Sequence, residues 1–133
     1  LLSAIIARKA KSVTGIEIVK SATKNAEVLK KLNNLKNLKN INGDTKKELF
    51  SLNFNTIILD PPRAGVDKKV IEILLNKQPS KIIYVSCNPI TLARDINLLK
   101  EVYDIKFLEP YDMFPQTHHV ETLAVLELKT AIK

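Results

Sequence analysis

The sequence predicts an α/β domain built on a mostly parallel, doubly wound sheet. Three observations carry that expectation. Short runs rich in β-branched residues alternate along the chain with segments of helical spacing. The runs "NTIILD" and "KIIYVS" are apolar nearly throughout, as strands covered on both faces are. The polar residues that stand out fall at the carboxyl ends of the predicted strands, where sheets of this kind bind ligands.

Each element has its own local reason. In "LLSAIIARKAK" the spacing of Leu2, Ile5, Ile6 and Lys9 predicts a helix that continues from something longer. "SVTGIEIV" (12–19) is β-branched and predicts a strand. "SATKNAEVLKKLNNL" places Ala22, Ala26, Leu29 and Leu32 on one helical face, with lysines opposite. "NLKNINGD" is a short strand ending at Gly43 and Asp44. "NTIILDPPRAG" is an apolar strand stopped by consecutive prolines, which continue neither a ladder nor a helix interior. Asp67 caps the next helix, with Val70, Ile71, Leu74 and Leu75 inward. "KIIYVSC" is a further strand, and Asn88-Pro89 opens a helix with Leu92, Ile96 and Leu99 inward. Strands around "IKFLEP" and "ETLAVLEL" close the chain.

Composition narrows the function classes. A chain of 133 residues is one small domain or a piece of a larger one, and 45% hydrophobic residues suffice for a core. A single cysteine excludes an internal disulfide and a multi-cysteine metal site, so no metal is expected and nothing argues for secretion. No apolar run approaches the roughly 20 residues that span a bilayer. The N-terminus is apolar and then basic, the reverse of a signal peptide, and has no starting methionine. A cytoplasmic fragment is the expectation. The net charge of +7, from 21 basic and 14 acidic residues, suits a polyanionic partner, although Lys/Asn-rich composition alone also produces it.

The candidate residues each admit two readings. Glu17 on an apolar strand is either a ribose-binding carboxylate or an edge residue facing water. Asp44 after Gly43 is a pocket acid or ordinary turn chemistry. Asp60 sits at a strand tip before a rigid Pro-Pro wall, and Arg63 stands where an aromatic would suggest base stacking in an amino-methyltransferase. Cys87 precedes a helix N-terminus, which favours thiolate, while lone cysteines are also common core residues. In "YDMFPQTHHVET", Thr117, His118, His119 and Glu121 are placed on the start of a strand. Adjacent histidines there face opposite sides, so joint chelation is not expected, and Glu121 is a general base or a rim carboxylate.

Three motifs in this order, "LDPPRAG", "YVSCNPITLARD" and "DMFPQTHHVE", resemble the RNA uracil-5-methyltransferase family over essentially the whole chain. The resemblance implies a Rossmann-like class I methyltransferase fold, mostly parallel with an antiparallel C-terminal strand. It implies S-adenosylmethionine as methyl donor and a uridine of ribosomal or transfer RNA as substrate, with "DMFPQT" leaning towards ribosomal. By position, Cys87 matches the nucleophile, Glu121 the base, and Glu17, Asp44 and Asp60 acids around the donor; Arg63, Asn88, Pro89 and His119 match supporting or RNA-facing positions. The resemblance also implies that residues 1–133 are part of a catalytic domain, without its first strand, its glycine loop and an upstream RNA-binding domain. Exposed sheet edges and weak donor binding by the chain alone are then expected. A catalytically silent RNA-binding fragment and a small-molecule nucleoside enzyme are the alternatives.

Overall fold

The computed structural model describes residues 1–130, and the chain divides into two compact units, Leu1–Leu52 and Asn53–Lys133, each with its own sheet.

The first unit runs α1 (Leu2–Ala7), β1 (Val13–Glu17), α2 (Lys20–Leu32), β2 (Leu38–Asn42) and α3 (Thr45–Ser51). β1 and β2 pair in parallel, from Val13 opposite Leu38 to Glu17 opposite Asn42. Parallel neighbours need a long crossover, and α2 supplies it. The core is small, with Ala7, Leu35 and Leu38 buried and Ala4 and Val13 packed against them. Gly15 allows α1 to lie close on β1, because a Cβ there would stand 2.8 Å from Ser3 Oγ.

Two expectations change in this unit. Leu32, placed inward by helical spacing, is 75% exposed. The helix ends there and the chain turns through Asn34 at φ 51°, so Leu35 reaches the core instead. Gly43-Asp44 is also more than a turn, because Asp44 caps α3, its Oδ1 accepting from the Lys46 amide at 2.9 Å. That helix has seven residues and buries only Leu49, so it leaves no periodic signal in the sequence.

The second unit runs β3 (Thr56–Leu59), α4 (Lys68–Lys77), β4 (Lys81–Ser86), α5 (Pro89–Leu99), β5 (Tyr103–Tyr111) and β6 (Glu121–Leu128), in sheet order β3-β4-β6-β5. β3 and β4 are parallel, and β6 is antiparallel to both β4 and β5. β3, β4 and β5 therefore share one direction and the C-terminal strand alone opposes it, as the sequence led one to expect. Along β4 the residues Ile82, Tyr84 and Ser86 are buried, and Thr122, Ala124 and Leu126 of β6 continue that face. Ile83 and Val85 on the other face are half-buried, so the apolar run is not covered equally on its two sides.

Asp67 caps α4 through the Lys69 amide, and Gln78 at φ 47° ends it. Val70, Ile71 and Leu74 of α4 are buried, as are Leu92 and Leu99 of α5, and the two helices pack together. Asp95 is buried on the same helix, between Leu92 and Leu99 on its inner face. β5 forms the sheet edge and carries a bulge between Ile105 and Phe107, a common feature of edge strands.

Candidate active site

Cys87 follows β4 directly and is a free, half-buried thiol. Its turn is tightly tied. The Asn88 amide donates to Ser86 Oγ at 3.1 Å, and that hydroxyl donates to the Asn88 carbonyl at 2.9 Å. Asn88 Oδ1 accepts from the Ile90 amide at 3.0 Å as the N-cap of α5, while Pro89 occupies a first-turn position that needs no N–H. β4, its terminal serine and the helix cap thus hold both sides of the thiol's residue.

The "DPPRAG" stretch begins at the exposed Asp60, which follows β3 at its carboxyl end. β3 neighbours β4, so Asp60 and Cys87 extend from adjacent parallel strands. The Gly65 amide donates to the Pro62 carbonyl at 2.9 Å, and Gly65 adopts φ 82°, a region that favours glycine. Residues 63–66 are gripped by α5 and by the turn before it. Asn88 Nδ2 and Thr91 Oγ1 each donate to the Arg63 carbonyl at 3.1 Å, and Arg94 Nη2 donates to the Ala64 carbonyl at 2.9 Å. Asp95 Oδ2 accepts from the Val66 amide at 2.8 Å and from the Tyr84 hydroxyl at 2.7 Å. Burial, followed by the bond to Asp95 and the charge of that carboxylate, pushes the Tyr84 phenol above its ordinary range.

The tail supplies Glu121 and the histidines. β6 pairs Thr122 with Ser86 in antiparallel register. Continued by one residue, that register sets Glu121 opposite Cys87, at positions that share the half-buried face of the sheet. His118 and His119 lie in the segment before β6 rather than on it, which corrects their placement on opposite faces of a strand. Their ring centroids are 4.3 Å apart, and Phe114 meets His119 edge-on at 6.3 Å. Arg63 Nη2 lies 2.8 Å from His119 Nδ1. A guanidinium can only donate, so this contact is a hydrogen bond in the tautomer that leaves Nδ1 as acceptor. Among the described residues no group of three or more His, Cys, Asp or Glu side chains could hold a metal ion.

In the first unit Glu17 and Asp44 stand together at the carboxyl end of the β1–β2 pair. The Gly43 amide donates to the Glu17 carbonyl at 3.1 Å, and Asn42 Nδ2 donates to the same carbonyl at 2.9 Å. Glu17 is exposed, not embedded in its strand; Oε1 accepts from the Val19 amide at 2.8 Å. Glu17 also borders a cavity of about 150 Å³ beside Ser3, Gly15, Thr23 and Asn40.

The structure therefore gathers Cys87, Asn88, Pro89, Asp60, Arg63, His119 and Glu121 in one unit, and Glu17 with Asp44 in the other. Tyr84, Thr91, Arg94 and Asp95 were not singled out from the sequence. A carboxylate at an inward helical position, three residues after Leu92 and four before Leu99, is the signal that pointed to one of them.

An α/β unit with acids at strand carboxyl ends and one reversed C-terminal strand has the layout of the class I methyltransferase fold. A dimethyladenosine transferase from Plasmodium falciparum shares that fold, with TM-score 0.75 and 16% identity over 96% of this chain and 52% of its own. The chain belongs to the tRNA (uracil-5-)-methyltransferase family, whose model matches residues 2–129. An RNA methyltransferase of Bacteroides thetaiotaomicron, itself uncharacterized, is 44% identical over 130 residues, covering 93% of this chain and 29% of that protein. The Pyrococcus abyssi tRNA (uracil-54, C5)-methyltransferase, solved with S-adenosyl-L-homocysteine, superposes with TM-score 0.84 and 35% identity, over 92% of this chain and 30% of its own. The chain thus spans about 30% of the length of these two relatives.

Proposed function

We propose that the protein containing this chain methylates carbon 5 of a uridine in structured RNA, with Cys87 as nucleophile and Glu121 as base. The observation that supports the reading is the β4–β6 register, whose last pair, Ser86 and Thr122, stands next in sequence to Cys87 and Glu121. Family membership and the Pyrococcus tRNA enzyme favour transfer RNA as the first substrate to test, over the ribosomal RNA suggested by "DMFPQT". In this reading residues 1–133 are the part of a catalytic domain that carries the nucleophile, the base and three acids. The +7 charge attracts the polyanion, and the target base leaves its stack to reach the thiol.

The acids suit a nucleoside donor. Glu17 and Asp60 are exposed at the carboxyl ends of β1 and β3, and Asp44 follows the end of β2. Such acceptors fit the hydroxyl and amino donors of an adenosine group. S-adenosylmethionine supplies an electrophilic methyl group on sulfur. The chain's own residues do the rest. Cys87 thiolate forms a bond to carbon 6, and the ring's electrons move to give an enolate nucleophilic at carbon 5. Once carbon 5 carries the methyl group, Glu121 takes the proton from that carbon. The carbon 6–sulfur bond then breaks, and Cys87 leaves as thiolate. Asn88 and Pro89 hold the nucleophile's turn, and Arg63 braces the adjacent loop while engaging His119.

The test uses RNA in which the target uridine is 5-fluorouridine, incubated with the full-length protein and S-adenosylmethionine. Wild type is expected to form a covalent adduct, and Cys87→Ala to form none. With unmodified RNA, Glu121→Gln is expected to accumulate methylated RNA still joined to protein. Retention of the adduct by Cys87→Ala sinks the nucleophile assignment. RNA affinity that survives both changes, with no adduct in wild type, favours a catalytically silent RNA-binding protein.

A further inference from the structure

We propose that Asp95 is a positioning residue for this reaction: its buried carboxylate locks the 61–66 loop to α5 and so fixes where Arg63 meets His119, close in sequence to Glu121. The inference rests on the functional reading above.

Asp95 is 0% exposed, and among the buried residues described it is the one with a charged side chain. Burying a carboxylate is costly unless both oxygens are engaged, and here they are. Oδ2 accepts from Tyr84 of β4 and from the Val66 amide that ends the loop. Oδ1 accepts from Arg94 Nε at 2.9 Å and Nη2 at 2.8 Å. Removing this carboxylate alone would leave the Tyr84 hydroxyl and the Val66 amide buried without their acceptor, so Asp95 is what ties these groups together. It joins three elements: the strand that delivers Cys87, the helix that follows it, and the loop that follows Asp60.

That loop is held at successive backbone groups. Its carbonyls at 63 and 64 and its amide at 66 bind Asn88, Thr91, Arg94 and Asp95. Gly65 leaves the space this requires, since a Cβ there would stand 2.6 Å from both Arg94 Nη2 and Asp95 Oδ2. The side chain that leaves the clamped loop is Arg63, 2.8 Å from His119 Nδ1 and hence next to the strand that begins with Glu121. Asp95 acts through Arg63 and touches no reacting atom.

The experiment compares Asp95→Asn, Arg94→Ala, Arg63→Ala and the Asp95→Asn/Arg63→Ala double variant in the full-length protein. Asp95→Asn keeps the shape but sets an amide against donors. Arg94→Ala acts from a half-exposed side chain and keeps the buried carboxylate, so it covers the case in which the first variant does not fold. Amide hydrogen exchange at 64–66 is expected to accelerate about tenfold or more in both variants, while β3 and β4 amides keep their protection. With tRNA as substrate, kcat for Asp95→Asn is expected to fall about 10- to 100-fold, the scale of a misplaced catalytic group. The double variant is expected to be no slower than Arg63→Ala, because both changes remove one function. Unchanged exchange in the loop, or kcat losses that multiply in the double variant, overturns the proposal. If exchange responds but wild type methylates no uridine, the functional reading fails and the clamp stands.

Discussion

Replacing Gly65 by alanine tests the clamp at its tightest point. The residue sits at φ 82°, where an L-residue with a Cβ pays roughly 1–2 kcal/mol. The new methyl would also stand 2.6 Å from Asp95 Oδ2 and 2.6 Å from Arg94 Nη2, and 3.1 Å from Thr91 Cβ. Thr91 and Asp95 belong to one helix, so the helix cannot yield without disturbing β4 through Tyr84. The carboxylate must then give up at least one of its two Oδ2 bonds, and a hydrogen bond to a charged group contributes about 1.5–3 kcal/mol. The sum is about 2.5–5 kcal/mol, a large part of the roughly 5–15 kcal/mol that holds a domain together. Urea denaturation followed by far-ultraviolet circular dichroism measures it. Gly15→Ala is the control, because its nearest obstacle is the rotatable Ser3 hydroxyl at 2.8 Å and it has no positive φ. A Gly65→Ala loss below about 1 kcal/mol, or one no greater than that of Gly15→Ala, would refute the reasoning.

Other expectations follow from single groups. Burial pushes the Tyr103 phenol from 10.0 up to about 12, so the folded protein keeps a proton that the unfolded chain sheds. That stabilisation is complete below pH 10 and fades as pH rises towards 12, by about 1.4 kcal/mol per unit; Tyr103→Phe is expected to flatten the alkaline slope of stability by one proton. An unchanged slope counts against the burial argument. Asn88→Ala removes the cap on Ile90 and one of the two side-chain donors to the Arg63 carbonyl, for an expected loss of about 1–2 kcal/mol in urea titration. For the full-length protein, Glu17→Ala is expected to weaken S-adenosylmethionine binding about tenfold or more by calorimetry, as loss of a charged acceptor does. Equal affinities would remove Glu17 from the donor site.

Much of this was legible before any coordinates. The strands "NTIILD" and "KIIYVS" declared themselves because a buried parallel strand must be apolar nearly throughout, and they form β3 and β4. Asp67 and Asn88 were legible as caps because the first amides of a helix need an acceptor, and both side chains provide one. Helical spacing was a weaker guide where few side chains are buried. It drew Leu32 inward although the helix stops at that residue, and it missed α3, whose only buried side chain is Leu49. The histidines were set on a strand that begins only at Glu121, since a polar segment carries no alternation to mark where pairing starts.

What the sequence by itself determined was the order of elements apart from α3, their mainly parallel direction, and which residue types lie at the strand ends. Those follow from local chemistry: apolar periodicity, prolines that stop a strand, polar caps that start a helix. Which strand end faces which was a matter for tertiary structure. The reversal of β6 between β4 and β5 pairs position 122 with position 86, next to Glu121 and Cys87, over a separation no periodicity encodes. The same is true of Asp95. In the sequence it is one polar residue in "LARD"; in the fold it is a buried charge answered by Tyr84, Val66 and Arg94. Long-range hydrogen bonds of that kind have no local signature, because their partners are chosen by packing and not by proximity along the chain.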